Sequence, residues 1–77
     1  MKIQILKRGK KFISNLPQRE QHRILDALFK LPDGDVKPLE GKKDAFRLRV
    51  GKWRVVYRIS DNVIIIHDIG SRGDIYK

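Results

Sequence analysis

Residues 46–77 read FRLRVGKWRVVYRISDNVIIIHDIGSRGDIYK, and this stretch decides the fold. Apolar residues alternate with arginines, the period-two signature of strands with one buried face. Gly51-Lys52 and Asp61-Asn62 are tight-turn pairs that divide the stretch into three strands. With each pair as a two-residue hairpin loop, Val50 faces Trp53, Arg49 faces Arg54, Leu48 faces Val55 and Arg47 faces Val56. Across the second loop Ile59 faces Ile64, Tyr57 faces Ile66, Val56 faces His67 and Arg54 faces Ile69. Opposed residues share a face. One face therefore holds Phe46, Leu48, Val50, Trp53, Val55, Tyr57, Ile59, Ile64 and Ile66, an apolar surface fit to receive helices. The other holds Arg47, Arg49, Arg54, Arg58 and His67, with Val56, Ile65 and Ile69 between them.

Upstream, Lys2-Ile3-Gln4-Ile5 alternates polar and apolar and predicts a first strand. Phe12, Ile13 and Leu16 have helical spacing within residues 8–16. Pro17 disfavours helix at Leu16 and suits the first turn of a second helix, expected over residues 17–31 with Ile24, Leu25, Leu28, Phe29 and Leu31 as its apolar stripe. Pro32-Asp33-Gly34-Asp35 is a stop and turn, and residues 36–44 read as a polar loop. The expected architecture is α+β in the order βααβββ, two helices on one face of a small, mostly antiparallel sheet. At 77 residues the chain is expected to be a single domain over 1–77.

Lysine and arginine total 18 against 9 acidic residues, a net charge of +9. A field of that sign on so small a body favours nucleic acid, an anionic membrane surface or an acidic protein. The chain has no cysteine, so neither a disulfide nor a thiolate metal site is available to it. It has no apolar run of membrane-spanning length, and MKIQILKRGKKF lacks the apolar core and small-residue cleavage site of a secretory signal. A cytoplasmic location is the expectation.

Like charges directly opposite destabilise a sheet. Arg49 against Arg54, with Arg47 and Arg58 nearby, is thus an arrangement that stability alone would avoid. A guanidinium presents a planar fork of donors suited to phosphate oxygens, so these residues read as a cradle for a polyanion. His67 lies on the cationic face, as proton shuttle, base platform or plain strand histidine. Lys42 and Lys43, before the hairpins, are candidate phosphate contacts. Arg72, in Gly70-Ser71-Arg72-Gly73, would swing over the same face. Tyr76 is a candidate for stacking or proton transfer. The two histidines have no metal-ligand spacing, and the chain has no P-loop and no nucleophile–base motif.

The ordered set KFISNLP (residues 11–17), KPLEG (37–41), FRLRVGKWRVVYRI (46–59) and GSRGDIY (70–76) resembles the RelE/ParE superfamily of type II toxin–antitoxin toxins. The resemblance spans nearly the whole chain and implies the βααβββ fold reached above. In RelE-like members the toxin enters the ribosomal A site and cuts mRNA there, the ribose 2′-OH attacking the adjacent phosphate. On that resemblance Arg54, Arg72, Tyr76 and Arg47 would be the catalytic residues, and Arg49, Arg58, His67, Lys43 and Lys42 would bind RNA. No metal or other cofactor is implied. The expected partners are a cognate antitoxin, the ribosome and mRNA. Ala45 stands where prototype members carry a further lysine. The alternatives are a ParE-like inhibitor of DNA gyrase that cuts nothing, and a non-enzymatic RNA-binding protein.

Overall fold

The computed structural model of the chain describes residues 2–31, 33–41 and 44–71. Strand β1 (Lys2–Ile5) leads into helices α1 (Lys7–Ser14) and α2 (Gln18–Phe29). Strands β2 (Val36–Pro38), β3 (Ala45–Val50), β4 (Trp53–Ser60) and β5 (Val63–Ser71) follow. They form one sheet in the order β1-β5-β4-β3-β2. β1 runs parallel to β5, and the other neighbours are antiparallel. The helices connect the parallel pair, as a crossover must.

Both expected turns form. Gly51 alone takes a positive φ at the β3–β4 turn, the pattern of a II′ hairpin, while Asp61 and Asn62 both do at the next, as a type I′ turn requires. The β3–β4 register matches the expectation from Val50–Trp53 to Arg47–Val56. The β4–β5 register matches it from Ser60–Val63 to Tyr57–Ile66 and then slips: Val56 pairs with Asp68 rather than His67, and Arg54 with Gly70 rather than Ile69. A β-bulge at His67 adds one residue to β5 and returns Ile69 to the helix side, where it is 3% exposed. Ile69 therefore belongs to the core and not to the cationic face.

Two other expectations change. Residues 36–38 leave the anticipated loop to form β2, with Lys37 opposite Arg47. Its proline sits on an edge strand, where no inner ladder bond is lost. Phe29, assigned to the α2 stripe, is 75% exposed. The buried line of α2 is Ile24 and Leu28, with Leu31 just beyond the helix.

The core lies between the helices and one sheet face. Tyr57, Ile24, Leu28, Leu48, Ile64, Ile66 and Val55 are its fully buried side chains, each contributing roughly 1.5–3 kcal/mol. Gly9 lets α1 come down on the sheet, since a Cβ there would lie 3.1 Å from Ile5 Cγ2. Neither helix has a side-chain N-cap, and α1 has no acid in its first turn. Packing rather than end chemistry holds them. One polar tie supports it: Trp53 Nε1–H donates to Glu20 Oε2 at 3.0 Å, while the Trp53 ring meets Phe12 edge-on at 5.3 Å. Replacing Glu20 by Ala leaves the indole N–H without this acceptor, and we expect a loss of about 1–2 kcal/mol in urea unfolding.

Candidate nucleic-acid interface

The helix-free face of the sheet is organised in rows across the strands. The first is Arg49–Arg54–Gly70. The second is Lys37–Arg47–Val56–Asp68, with the bulged His67 beside it. The third is Ala45–Arg58–Ile65–Gln4. Arg47 and Arg54 are half-buried, and Arg49 and Arg58 are exposed. Strand alternation delivers all four arginines to one side, and the two tight turns align them.

Strands β3 and β4 carry no carboxylate. Asp68, the nearest candidate on β5, is engaged elsewhere: Oδ2 meets Arg8 Nη1 of α1 at 3.4 Å, and Oδ1 accepts the Ile69 N–H at 2.9 Å. That is the one ion pair among the described residues. Arg47, Arg49, Arg54 and Arg58 thus face solvent with no anionic partner among those residues.

The bulge matters at Arg54. A regular ladder would place Ile69 beside it, whereas Gly70 stands there and brings no side chain. Sequence reading missed Lys37, which joins the cationic face opposite Arg47. Its only signal was a three-residue alternation ending in proline, too short to register. Of the expected site residues, Arg47, Arg49, Arg54, Arg58 and His67 share this face. Lys42, Lys43, Arg72 and Tyr76 lie outside the described residues. Trp53 and Tyr57 take the core side as expected. Burial pushes the Tyr57 phenol up, so it stays protonated. His22 is exposed on α2.

Comparison with known proteins agrees with this architecture. The family model described as the ParE toxin of the type II toxin–antitoxin system, parDE, matches residues 3–76. A protein of Methanocaldococcus jannaschii that bears the name Putative toxin RelE1 is 31% identical over 84 residues, covering 97% of this chain and 93% of its own. Among solved structures, a chain of the archaeal RelE–RelB complex from Pyrococcus horikoshii superposes with a TM-score of 0.77 at 33% identity, over 95% of this chain and 96% of that one. A chain of the RelB–RelE antitoxin–toxin complex from Methanococcus jannaschii has the same fold, with a TM-score of 0.79 at 21% identity over 95% and 94%. The chain belongs to the RelE/ParE family of toxins of type II toxin–antitoxin systems.

Proposed function

We propose that this toxin is a metal-independent endoribonuclease that cuts mRNA in the ribosomal A site and so stops translation in the cytoplasm. The observation that carries this reading is the unneutralised Arg49–Arg54 row, with Arg47 and Lys37 in the next. A sheet tolerates such a row when an anion spends part of its time across it. Cleavage forms the bond from the 2′ oxygen to phosphorus and breaks the bond to the 5′ oxygen, leaving a 2′,3′-cyclic phosphate and a 5′-OH. The protein need supply no nucleophile, only charge stabilisation, alignment and two proton transfers.

Arg54 stabilises the charge that grows on the phosphoryl oxygens, with Arg72 joining it. Arg72 follows directly on Ser71, which pairs with Trp53 next to the Arg54 row. Arg47 assists in the adjacent row. Arg49, Arg58, Lys42 and Lys43 hold flanking phosphates or ribosomal RNA. Buried His67 Nε2 is poorly presented for proton transfer, which leaves Tyr76 and Lys43 as the candidates. The test is mapping of mRNA 5′ ends in a translating extract: codon-phased cuts with the wild-type toxin, and none with Arg54→Ala.

The family match to ParE toxins favours a second reading, inhibition of DNA gyrase without cutting. A supercoiling assay separates the two.

A cognate antitoxin is the expected partner, as in the RelE–RelB complex of Pyrococcus horikoshii. A net charge of +9 makes an acidic antitoxin segment the complementary surface. Its association rate is expected to fall about tenfold or more between low salt and about 1 M salt, where the Debye length is roughly 3 Å. Stopped-flow mixing reads this directly, and a salt-independent rate would remove charge steering from the account.

A further inference from the structure

The outer side of α2 carries an arrangement that the core does not use. Phe29 is 75% exposed, alone among the large hydrophobic residues described. Half-buried Leu25 lies one turn before it on the same line, so the two form an apolar ridge. Arg19, Arg23 and Lys30 are exposed along one flank of that ridge, at spacings of four and seven that keep them on one side of a helix. None of these cations is in an ion pair among the described residues. The flank does not stop at the helix. The Arg23 guanidinium lies against the β3–β4 turn, where a Cβ on Gly51 would be 2.9 Å from its Nη2. Arg23, Lys30 and Arg49 line one groove of about 390 Å³ between α2 and β3. Cations therefore continue from the Arg49–Arg54 row, past the turn, onto α2.

We propose that this ridge and groove receive an acidic amphipathic helix of the cognate antitoxin, which rests on the partner reading above. Its apolar residues pack on Phe29 and Leu25, and its carboxylates meet Arg19, Arg23 and Lys30. Amphipathic helices are recognised in this way, by anchors one turn apart. An RNA strand fits the groove poorly. Asp26, Asp33 and Asp35 share it with the three cations, so a bare polyanion meets like charge there. A protein segment can set a donor or an apolar side chain against each carboxylate. A second copy of the toxin fits no better, since each brings a net charge of +9 and the same basic flank. An acidic partner turns that repulsion into attraction, and the apolar ridge supplies the buried contact that holds the complex once it has formed. The continuous cations let one segment occupy the ridge and lead on toward the Arg49–Arg54 row.

The test measures association and dissociation of wild-type, Phe29→Ser and Arg23→Gln toxins with the full-length cognate antitoxin, by stopped-flow mixing and by competition with unlabelled antitoxin. Phe29 is exposed, so Phe29→Ser should unfold in urea at the wild-type midpoint and cut mRNA as wild type does. It is expected to speed dissociation about 30-fold with little change in association, the pattern of a lost apolar anchor. Arg23→Gln is expected to slow association about 2- to 3-fold at low salt, a difference that disappears at about 1 M salt. Wild-type affinity in Phe29→Ser, for an antitoxin that does bind the wild-type toxin, overturns the ridge and leaves the partner reading standing. An antitoxin that does not bind the wild-type toxin ends both. Sedimentation of the toxin alone covers the second copy: a dimer that Phe29→Ser abolishes overturns the proposal. So does a loss of mRNA cutting in Phe29→Ser with antitoxin binding intact, which assigns the ridge to RNA.

Discussion

Arg54→Ala is expected to lower mRNA cutting about 100- to 1,000-fold, the usual effect of deleting one pre-aimed donor to a developing oxyanion, while leaving the fold intact. The two halves of that expectation come from the same contact. Arg54 sits directly opposite Arg49 and has no carboxylate partner among the described residues. Its removal therefore relieves repulsion worth roughly 0.2–1 kcal/mol at low salt. Unfolding in urea should show Arg54→Ala equal to or slightly more stable than wild type at low ionic strength. The difference should vanish when salt screens the pair. Arg54→Lys keeps the charge and loses the planar fork, so it should match wild type in stability and recover only part of the activity. Arg8→Ala serves as the control. It breaks the exposed pair with Asp68, and surface pairs of that kind contribute little. An Arg54→Ala toxin that cuts like wild type would remove this arginine from the reaction. One that fails to fold would show that the row is structural after all.

Much of that site was legible in the chain because two independent signals agreed. Alternation in FRLRV and WRVVYRI sorted side chains by face, and turn chemistry at Gly51-Lys52 and Asp61-Asn62 set the pairing. The opposition of Arg49 to Arg54 follows from those alone, and the structure has it. The β4–β5 ladder was legible only as far as Tyr57–Ile66. Val63-Ile64-Ile65-Ile66 is apolar on both faces, so up to that point the turn alone sets the register and periodicity carries no phase into the residues that follow. A clue did exist. Strict alternation past Ile66 would send Asp68 toward the helices and Ile69 into water, a local conflict that one extra residue at His67 resolves. β2 was too short to show a period. Phe29 has the spacing of the α2 stripe, yet the fully buried line runs through Ile24 and Leu28 with Leu25 and Ala27 packed at its flanks, and the helix turns Phe29 outward.

The bulge makes the sharpest stability prediction. On an uninterrupted ladder Ile69 would lie on the solvent face, and Ile69→Ser would fall within about 0.5 kcal/mol of wild type, as exposed substitutions do. With the bulge, Ile69 is 3% exposed within the core cluster. The serine then leaves a cavity and buries a hydroxyl, for a combined cost of roughly 3–5 kcal/mol. A chain of this size has on the order of 4–12 kcal/mol to lose, so the melting temperature should drop by about 12–40 °C. Ile65→Ser is the matched comparison on the same strand. Ile65 stays half-buried on the arginine side, and its replacement should cost about 1 kcal/mol. Trp53, the only tryptophan, reports both transitions because its ring packs on Phe12 of α1. A larger loss at residue 65 than at residue 69 would mean that β5 runs without its bulge. Ile69 would then stand beside Arg54 in place of Gly70 and bring a branched side chain to the arginine row.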